Sequence, residues 1–231
     1  LFAKQMDLTN NKITINNIIE VNNHYQIEGD ATTASYLYAW SIINKFNLRL
    51  TNLNKNSAQP DMNVLLKVLK YFGHFDGDTF IPDNIININN LEILDLDSSD
   101  TFLTWGCLFA LYNIPIEITN IENQDWKECA RITNFISNLK LLGVEAIKTS
   151  TGFKIIKGIN NFEIKSEKII ETYNDHRMAM SFSLLSLNNK NILINNPHCV
   201  SKTFPKYWDE LKKLGIEILP VNKINYKKVI L

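Results

Sequence analysis

The sequence predicts an α/β protein in which one βαβαββ unit is repeated three times around buried, parallel helices. Three observations predict it. One short phrase recurs about 70–75 residues apart: Ile27-Glu-Gly-Asp30-Ala-Thr-Thr-Ala-Ser-Tyr36, Leu96-Asp-Ser-Ser-Asp100-Thr-Phe-Leu-Thr-Trp105 and Thr172-Tyr-Asn-Asp175-His-Arg-Met-Ala-Met180. Each phrase opens a helix that is apolar nearly all round. Each is followed by a second, one-faced helix that runs into a glycine.

Every copy begins with a short strand: His24–Ile27, Glu92–Leu96 and Lys168–Thr172. The first helices then cover Ala34–Ile43, Phe102–Leu111 and Met178–Leu187, and a helix without a polar face is buried on every side. Second strands follow at Asn47–Leu53, Pro115–Ile121 and Asn191–Asn195. In the second helices Leu65, Val68, Leu69 and Phe72 fall on one stripe. Ile132, Phe135, Ile136 and Leu139 fall on another, and Tyr207, Leu211 and Leu214 form a thinner one. Gly73, Gly143 and Gly215 are read as their stops. A hairpin closes each copy, most clearly Val144–Lys148, a Thr-Ser-Thr-Gly turn, and Phe153–Lys157. Helices that start at equivalent points run side by side, so their N-termini emerge on one face. Each terminus carries about half a positive charge, which suits phosphates and carboxylates.

Composition narrows the function classes. The 24 cationic and 24 anionic residues cancel, so no whole-chain field recruits nucleic acid or an anionic membrane. Apolar residues make up 45% of the chain, enough for a core. Cys107, Cys129 and Cys199 have neither metal spacing nor an even count; the expectation is free thiols in a reducing, cytoplasmic compartment, with no metal and no cofactor. The longest uncharged stretch, Thr101 to Ile116, is broken by Gly106, Asn113 and Pro115, and reads as a buried helix leading into a strand. The Asn-rich run Asn84–Asn90 reads as surface loop.

Charged residues collect at the predicted N-terminal face. Copy three supplies Asp175, His176 and Arg177, and a loop ending at Lys202-Thr-Phe-Pro205, with Pro205 in the first helical turn. Copy two supplies Asp100 and the loop Asn120 to Arg131. If its helix starts near Asp125, Lys127, Glu128 and Arg131 share the first turns. Cations in a first turn oppose the dipole, and a bound anion would remove the conflict. Asp30 and Asp100 read as N-caps, each contributing about 0.5–2 kcal/mol. Copy one carries no comparable cluster in Lys55-Asn-Ser-Ala-Gln-Pro-Asp61.

Thr172–Met180, Cys199-Val-Ser-Lys-Thr-Phe-Pro205 and Ile27–Tyr36 resemble the 5-enolpyruvylshikimate-3-phosphate synthase family. Asn123 to Arg131 is similar to that family's Asn-Trp-Arg-Val-Lys-Glu-x-x-Arg segment. The likeness runs from about residue 20 to 220 with the motifs in order. It implies an inside-out α/β barrel of enolpyruvyl transferase type. It also implies a fragment of a longer reading frame: residues 1–26 as the tail of a first domain and crossover, 27–220 as the three-repeat domain (repeats about 27–90, 91–165 and 166–220), and 221–231 as a final strand or the start of a following domain. A missing N-terminal domain would be the partner, with a fused shikimate kinase downstream as a further one.

The implied reaction moves the enolpyruvyl group of phosphoenolpyruvate to the 5-hydroxyl of shikimate 3-phosphate, releasing phosphate. Carried over motif by motif, Asp100, Glu128 and Lys202 would be catalytic. Asp100, Asn123 and Lys127 would bind shikimate 3-phosphate; Glu128, Arg131, His176, Arg177 and Lys202 would bind phosphoenolpyruvate. Gln124-Asp125-Trp126 departs from the family's Trp-Arg-Val, and Asp125 is read as a cap for the next helix. The rival readings are a UDP-N-acetylglucosamine enolpyruvyl transferase-like enzyme, a non-catalytic half-domain, and a plain α/β repeat scaffold. An isolated chain with half of the phosphate ligands is expected to be inactive.

Overall fold

Strands β1 (Ala3–Thr9) and β2 (Lys12–Ile18) pair as an antiparallel hairpin at the start of the chain. The computed structural model describes residues 3–9, 12–18, 26–83, 91–97, 99–159, 164–187, 189–223 and 226–230. After the hairpin one order of elements recurs. The first pass is α1 (Ala31–Asn44), β3 (Leu48–Arg49), α2 (Pro60–Leu69), β4 (Gly73–Asp76) and β5 (Thr79–Pro82). The second is β6 (Glu92–Asp95), α3 (Phe102–Leu111), β7 (Ile116–Thr119), α4 (Arg131–Leu141), β8 (Glu145–Lys148) and β9 (Phe153–Lys157). The third is β10 (Lys168–Ile170), α5 (His176–Ser186), β11 (Ile192–Asn195), α6 (Tyr207–Lys213), β12 (Leu219–Lys223) and β13 (Tyr226–Ile230).

The sheets repeat as well. In order β6-β7-β9-β8, the first pair is parallel and the hairpin is antiparallel; β10-β11-β13-β12 follows the same plan. The first sheet contains β3-β5-β4. Beside β3, Gly29 N donates to Asn52 O, the counterpart of Leu96 N donating to Thr119 O in the second pass. Residues 26–30 are irregular there, and the rest of the expected strand His24–Ile27 lies outside the described residues, as does Asn84–Asn90.

The apolar helices form the centre. Every residue of α3 is buried, and α5 is buried at all positions but Arg177. Ser35 of α1 donates to Thr104 of α3 at 3.2 Å, in the first half of both helices, and Thr104 lies 3.3 Å from Ser181 at the middle of α5. Towards the C-terminal ends, the Tyr112 hydroxyl donates to Ile42 O at 3.2 Å. Contacts at both levels mean that α1 and α3 run in the same direction. Phe135 of α4 packs at 5.3 Å from both Phe153 of β9 and Phe182 of α5, and 5.9 Å from Phe102 of α3. The second helices of the first two repeats also hold the repeat that follows. Lys67 of α2 donates to Asp95 O at 2.9 Å, and Asn138 of α4 donates to Glu171 O at 2.9 Å while accepting from Glu171 N at 3.3 Å.

Some expectations are corrected. Several strands are shorter than read, because only part of each expected run pairs in a ladder: Lys168–Ile170, Leu48–Arg49 and Glu92–Asp95. Gly143 and Gly215 end their helices at φ +81 and +88, but Gly73 begins β4; a Cβ there would lie 2.2 Å from Ile81 O, so close strand approach is its role. Asp100 caps nothing, since the N-cap of α3 is Thr101 without a side-chain bond. Helix α4 starts at Arg131, so Lys127 and Glu128 lie outside it, after a 3-10 helix at Glu122–Trp126. Pro205 sits in the turn before α6, and Lys202 closes a 3-10 helix at Pro197–Lys202. Among the described residues no helix is long and apolar enough to cross a membrane.

Candidate active site

The N-termini of the central helices bring the charged groups together. Asp175 caps α5, accepting from Arg177 N at 2.8 Å and Met178 N at 3.4 Å. Its other oxygen meets the first residue of α4: Arg131 Nε donates to Asp175 Oδ2 at 2.7 Å. The same guanidinium donates through Nη1 to Asp100 at 3.0 Å and Gln124 Oε1 at 2.9 Å, and through Nη2 to Glu128 at 2.5 Å. Arg131 is only 1% exposed, so a buried cation at a helix N-terminus is offset by three carboxylates and an amide.

Asp100 lies between two arginines, with Arg177 Nη2 at 2.9 Å and Lys127 Nζ farther off at 3.9 Å. Burial pushes the Asp100 carboxyl up, but Arg177, Arg131, Gln124 and Lys127 together hold it below the usual carboxylate range. Glu128 joins Arg131 to Lys202, whose Nζ is 2.5 Å away. Partial burial opposes ionisation of Glu128, yet Lys202, its own backbone N–H and Arg131 bring it down to about 2. Both carboxylates are therefore ionised at neutral pH.

Two groups on α5 are left uncommitted. His176 is 1% exposed, and neither ring nitrogen has a hydrogen-bond partner; Arg177 Nε is also buried without one. Burial lowers the His176 pKa, Asp175 pulling the other way, so the ring is neutral at pH 7. Buried polar atoms without partners are uncommon and mark places where a ligand group fits. The backbone approaching Asp175 is unusual as well: Tyr173 and Asn174 have φ of +53 and +59, a region non-glycine residues rarely enter.

The predicted residues are thus sorted. Asp100, Lys127, Glu128, Arg131, Arg177 and Lys202 form one connected network, and His176 adjoins it with Nδ1 at 3.9 Å from Asp175. Asn123 stands apart, exposed on the 3-10 helix and without a hydrogen bond to the network among the described residues. Asp125 does cap α4, accepting from Ile132 N at 2.7 Å and Thr133 N at 3.3 Å while pairing with Lys148. Two members were missed. Asp175 was visible in its motif but not assigned to the site. Gln124 gave no signal, because nothing local foretells the burial of a loop amide. Cys107, Cys129 and Cys199 are free thiols, and no cluster of three metal-ligating side chains occurs among the described residues.

Known proteins resemble this chain in sequence and fold. Residues 5–211 match the family model for EPSP synthase (3-phosphoshikimate 1-carboxyvinyltransferase). The chain is 35% identical over 196 residues to a 3-phosphoshikimate 1-carboxyvinyltransferase of Trichormus variabilis, covering 83% of this chain and 44% of that one. It is 31% identical over 210 residues to a pentafunctional AROM polypeptide of Yarrowia lipolytica, covering 89% of this chain and 13% of that one. An EPSP synthase structure from Acinetobacter baumannii superposes with a TM-score of 0.66 at 21% identity, covering 92% of this chain and 52% of that chain. The fold is that of an enolpyruvyl transferase half, and the chain belongs to the EPSP synthase family. It spans about half the length of the curated relatives it matches, 44% for the first of them.

Proposed function

We propose that this chain carries the C-terminal half of a 3-phosphoshikimate 1-carboxyvinyltransferase. In this reading the 5-hydroxyl of shikimate 3-phosphate adds to C2 of phosphoenolpyruvate while a proton is delivered to C3. The resulting tetrahedral adduct then loses a C3 proton and phosphate. The observation that carries the reading is the Arg131 hub beside uncommitted groups: four cations (Lys127, Arg131, Arg177, Lys202) face three carboxylates (Asp100, Glu128, Asp175), with His176 and Arg177 Nε still free to bind.

Asp100 would receive the substrate hydroxyl, acting as base or as its orienting acceptor. Lys127 and Asn123 would contact the shikimate phosphate; Arg131, His176, Arg177 and Lys202 would hold phosphoenolpyruvate. Arginine suits planar oxyanions because it donates two parallel bonds. Glu128 and Lys202 would move the protons. With its pKa near 2, Glu128 is a poor acid while Lys202 and Arg131 hold it. Substrate anions that draw those cations away would raise its pKa and make its acid form accessible.

One surplus positive charge does not neutralise two phosphates and a carboxylate, so a complementary half supplies the remaining cations. A shikimate kinase fused downstream, supported by the likeness to a pentafunctional polypeptide, is the lesser alternative to a single-enzyme parent chain, and a cytoplasmic location belongs to the same reading. The test is calorimetric binding of shikimate 3-phosphate to the whole enzyme, followed by phosphate release when phosphoenolpyruvate is added. Binding without release would leave a non-catalytic module; no binding would remove the substrate assignment.

A further inference from the structure

By sequence the first repeat carries no charged cluster for the site, yet its second helix reaches it. Asp61, the second residue of α2, accepts from Ser99 Oγ through Oδ1 at 2.7 Å and from Thr32 Oγ1 through Oδ2. Ser99 Oγ lies 2.6 Å from Thr101 Oγ1 and accepts from Thr101 N at 3.1 Å; Thr101 Oγ1 in turn accepts from Trp105 Nε1 at 3.0 Å. Ser99 and Thr101 are buried, at 5% and 0% exposure, and Asp100 is the residue between them.

We propose that Asp61 is a positioning residue for Asp100, fixing through Ser99 the turn that carries it. The bland alternative is an acid placed in a first helical turn to suit the dipole. The directions of its bonds argue otherwise: both oxygens face hydroxyls of other segments. The repeat shows the same device with opposite charge. Arg131, at the start of α4, reaches Asp100 in its own repeat and Asp175 in the next. Asp61, at the start of α2, reaches Thr32 in its own repeat and Ser99 in the next. The two clips differ in what a substrate does to them. Anions compete for Arg131 and Arg177, which hold the Asp100 carboxylate directly. They do not compete for the Ser99–Asp61 bond, so this clip keeps Asp100 aimed while its arginines turn towards ligand.

The inference rests on the proposed function for its kinetic arm and not for its second arm. In the whole enzyme, Asp61→Ala lowers kcat roughly 10- to 100-fold, the scale of a displaced catalytic group, with KM for both substrates within about threefold. Asp61→Asn still accepts from Ser99 and restores most of that loss. A role in folding alone would lower Tm and leave kcat per folded molecule unchanged, which would overturn the proposal.

The second arm follows the Asp100 carboxyl by carbon NMR and uses no substrate. The charges facing Asp100 are Arg131 from α4, Arg177 from α5 and Lys127 from the loop before α4. A loosened Asp100 drifts from them and its pKa rises, whereas mere removal of a neighbouring carboxylate lowers it. A rise in Asp61→Ala, and in the charge-neutral Ser99→Ala, supports positioning; a fall or no change in either overturns it. Should Asp61→Ala not fold, Ser99→Ala and Asp61→Asn decide. Should the wild-type enzyme not turn over the two substrates, the functional reading fails and the titration alone judges the clip.

Discussion

Replacing Arg131 by Met keeps most of the side-chain stem and deletes the charge at the hub. Asp100 would keep Arg177, and Glu128 would keep Lys202. Asp175 fares worst: it is fully buried, and Oδ2 would lose its 2.7 Å guanidinium bond, keeping only the weak Cys129 thiol donor at 3.7 Å beside the backbone donors on Oδ1. Removing one partner of a buried ion pair costs about 3–5 kcal/mol, mostly as an uncompensated charge. Since two of the three carboxylates retain a cation, the lower end applies, about 3 kcal/mol. For a chain of this size that lowers Tm by roughly 10 °C. Urea unfolding followed by tryptophan fluorescence measures the loss. Asp175→Asn in the same background removes the stranded charge, so the double variant should be more stable than the sum of the singles by about 1–2 kcal/mol. A loss below about 1 kcal/mol, or strict additivity, would show that Arg131 is a surface-type charge and refute the hub.

Other perturbations address neighbouring parts of the network. In the whole enzyme, Glu128→Gln should reduce kcat by about 10²–10⁴-fold with little change in substrate affinity, and stopped-flow turnover beside a binding titration separates the two. Glu128 has a folded pKa of about 2 against an ordinary 4.5, so its pairing stabilises the fold above pH 4.5 and fades as pH falls towards 2. The Tm gap between wild type and Glu128→Gln should therefore close across that window; a constant gap in calorimetry would contradict the pairing. Asp125→Ala removes the cap of α4 and should cost about 0.5–2 kcal/mol, detectable as a shift in the urea midpoint.

Much of the architecture was legible because burial on all sides leaves a plain mark. The uncharged run Phe102–Leu111 is α3 to the residue, and the Thr-Ser-Thr-Gly turn sits between β8 and β9 as read. The site was legible by residue type but less so by conformation. Lys127 and Glu128 lie outside a helix because a 3-10 segment precedes them and Asp125 caps α4 from seven residues upstream. Asp100 resembles Asp30 in sequence, and Asp30 does cap α1 by accepting from Thr33 N at 2.7 Å. Asp100 instead turns towards Arg131 and Arg177, because those cations are its neighbours and copy one has none. Local pattern cannot separate these outcomes; they are decided by partners about 30 and 77 positions away along the chain.

The hydroxyls of Ser35, Thr104 and Ser181 touch in the middle of an otherwise oily interior. Greasy rods slide past one another easily, since one methyl is much like the next. A slip of one turn, about 5.4 Å, would separate all three oxygens; Ser35 Oγ would keep its 2.7 Å bond to Thr32 O, but Thr104 and Ser181 would be stranded in hydrocarbon at about 1–3 kcal/mol apiece. This small wet knot thus acts as a depth gauge, fixing how far each of the three rods is pushed in beside its neighbours.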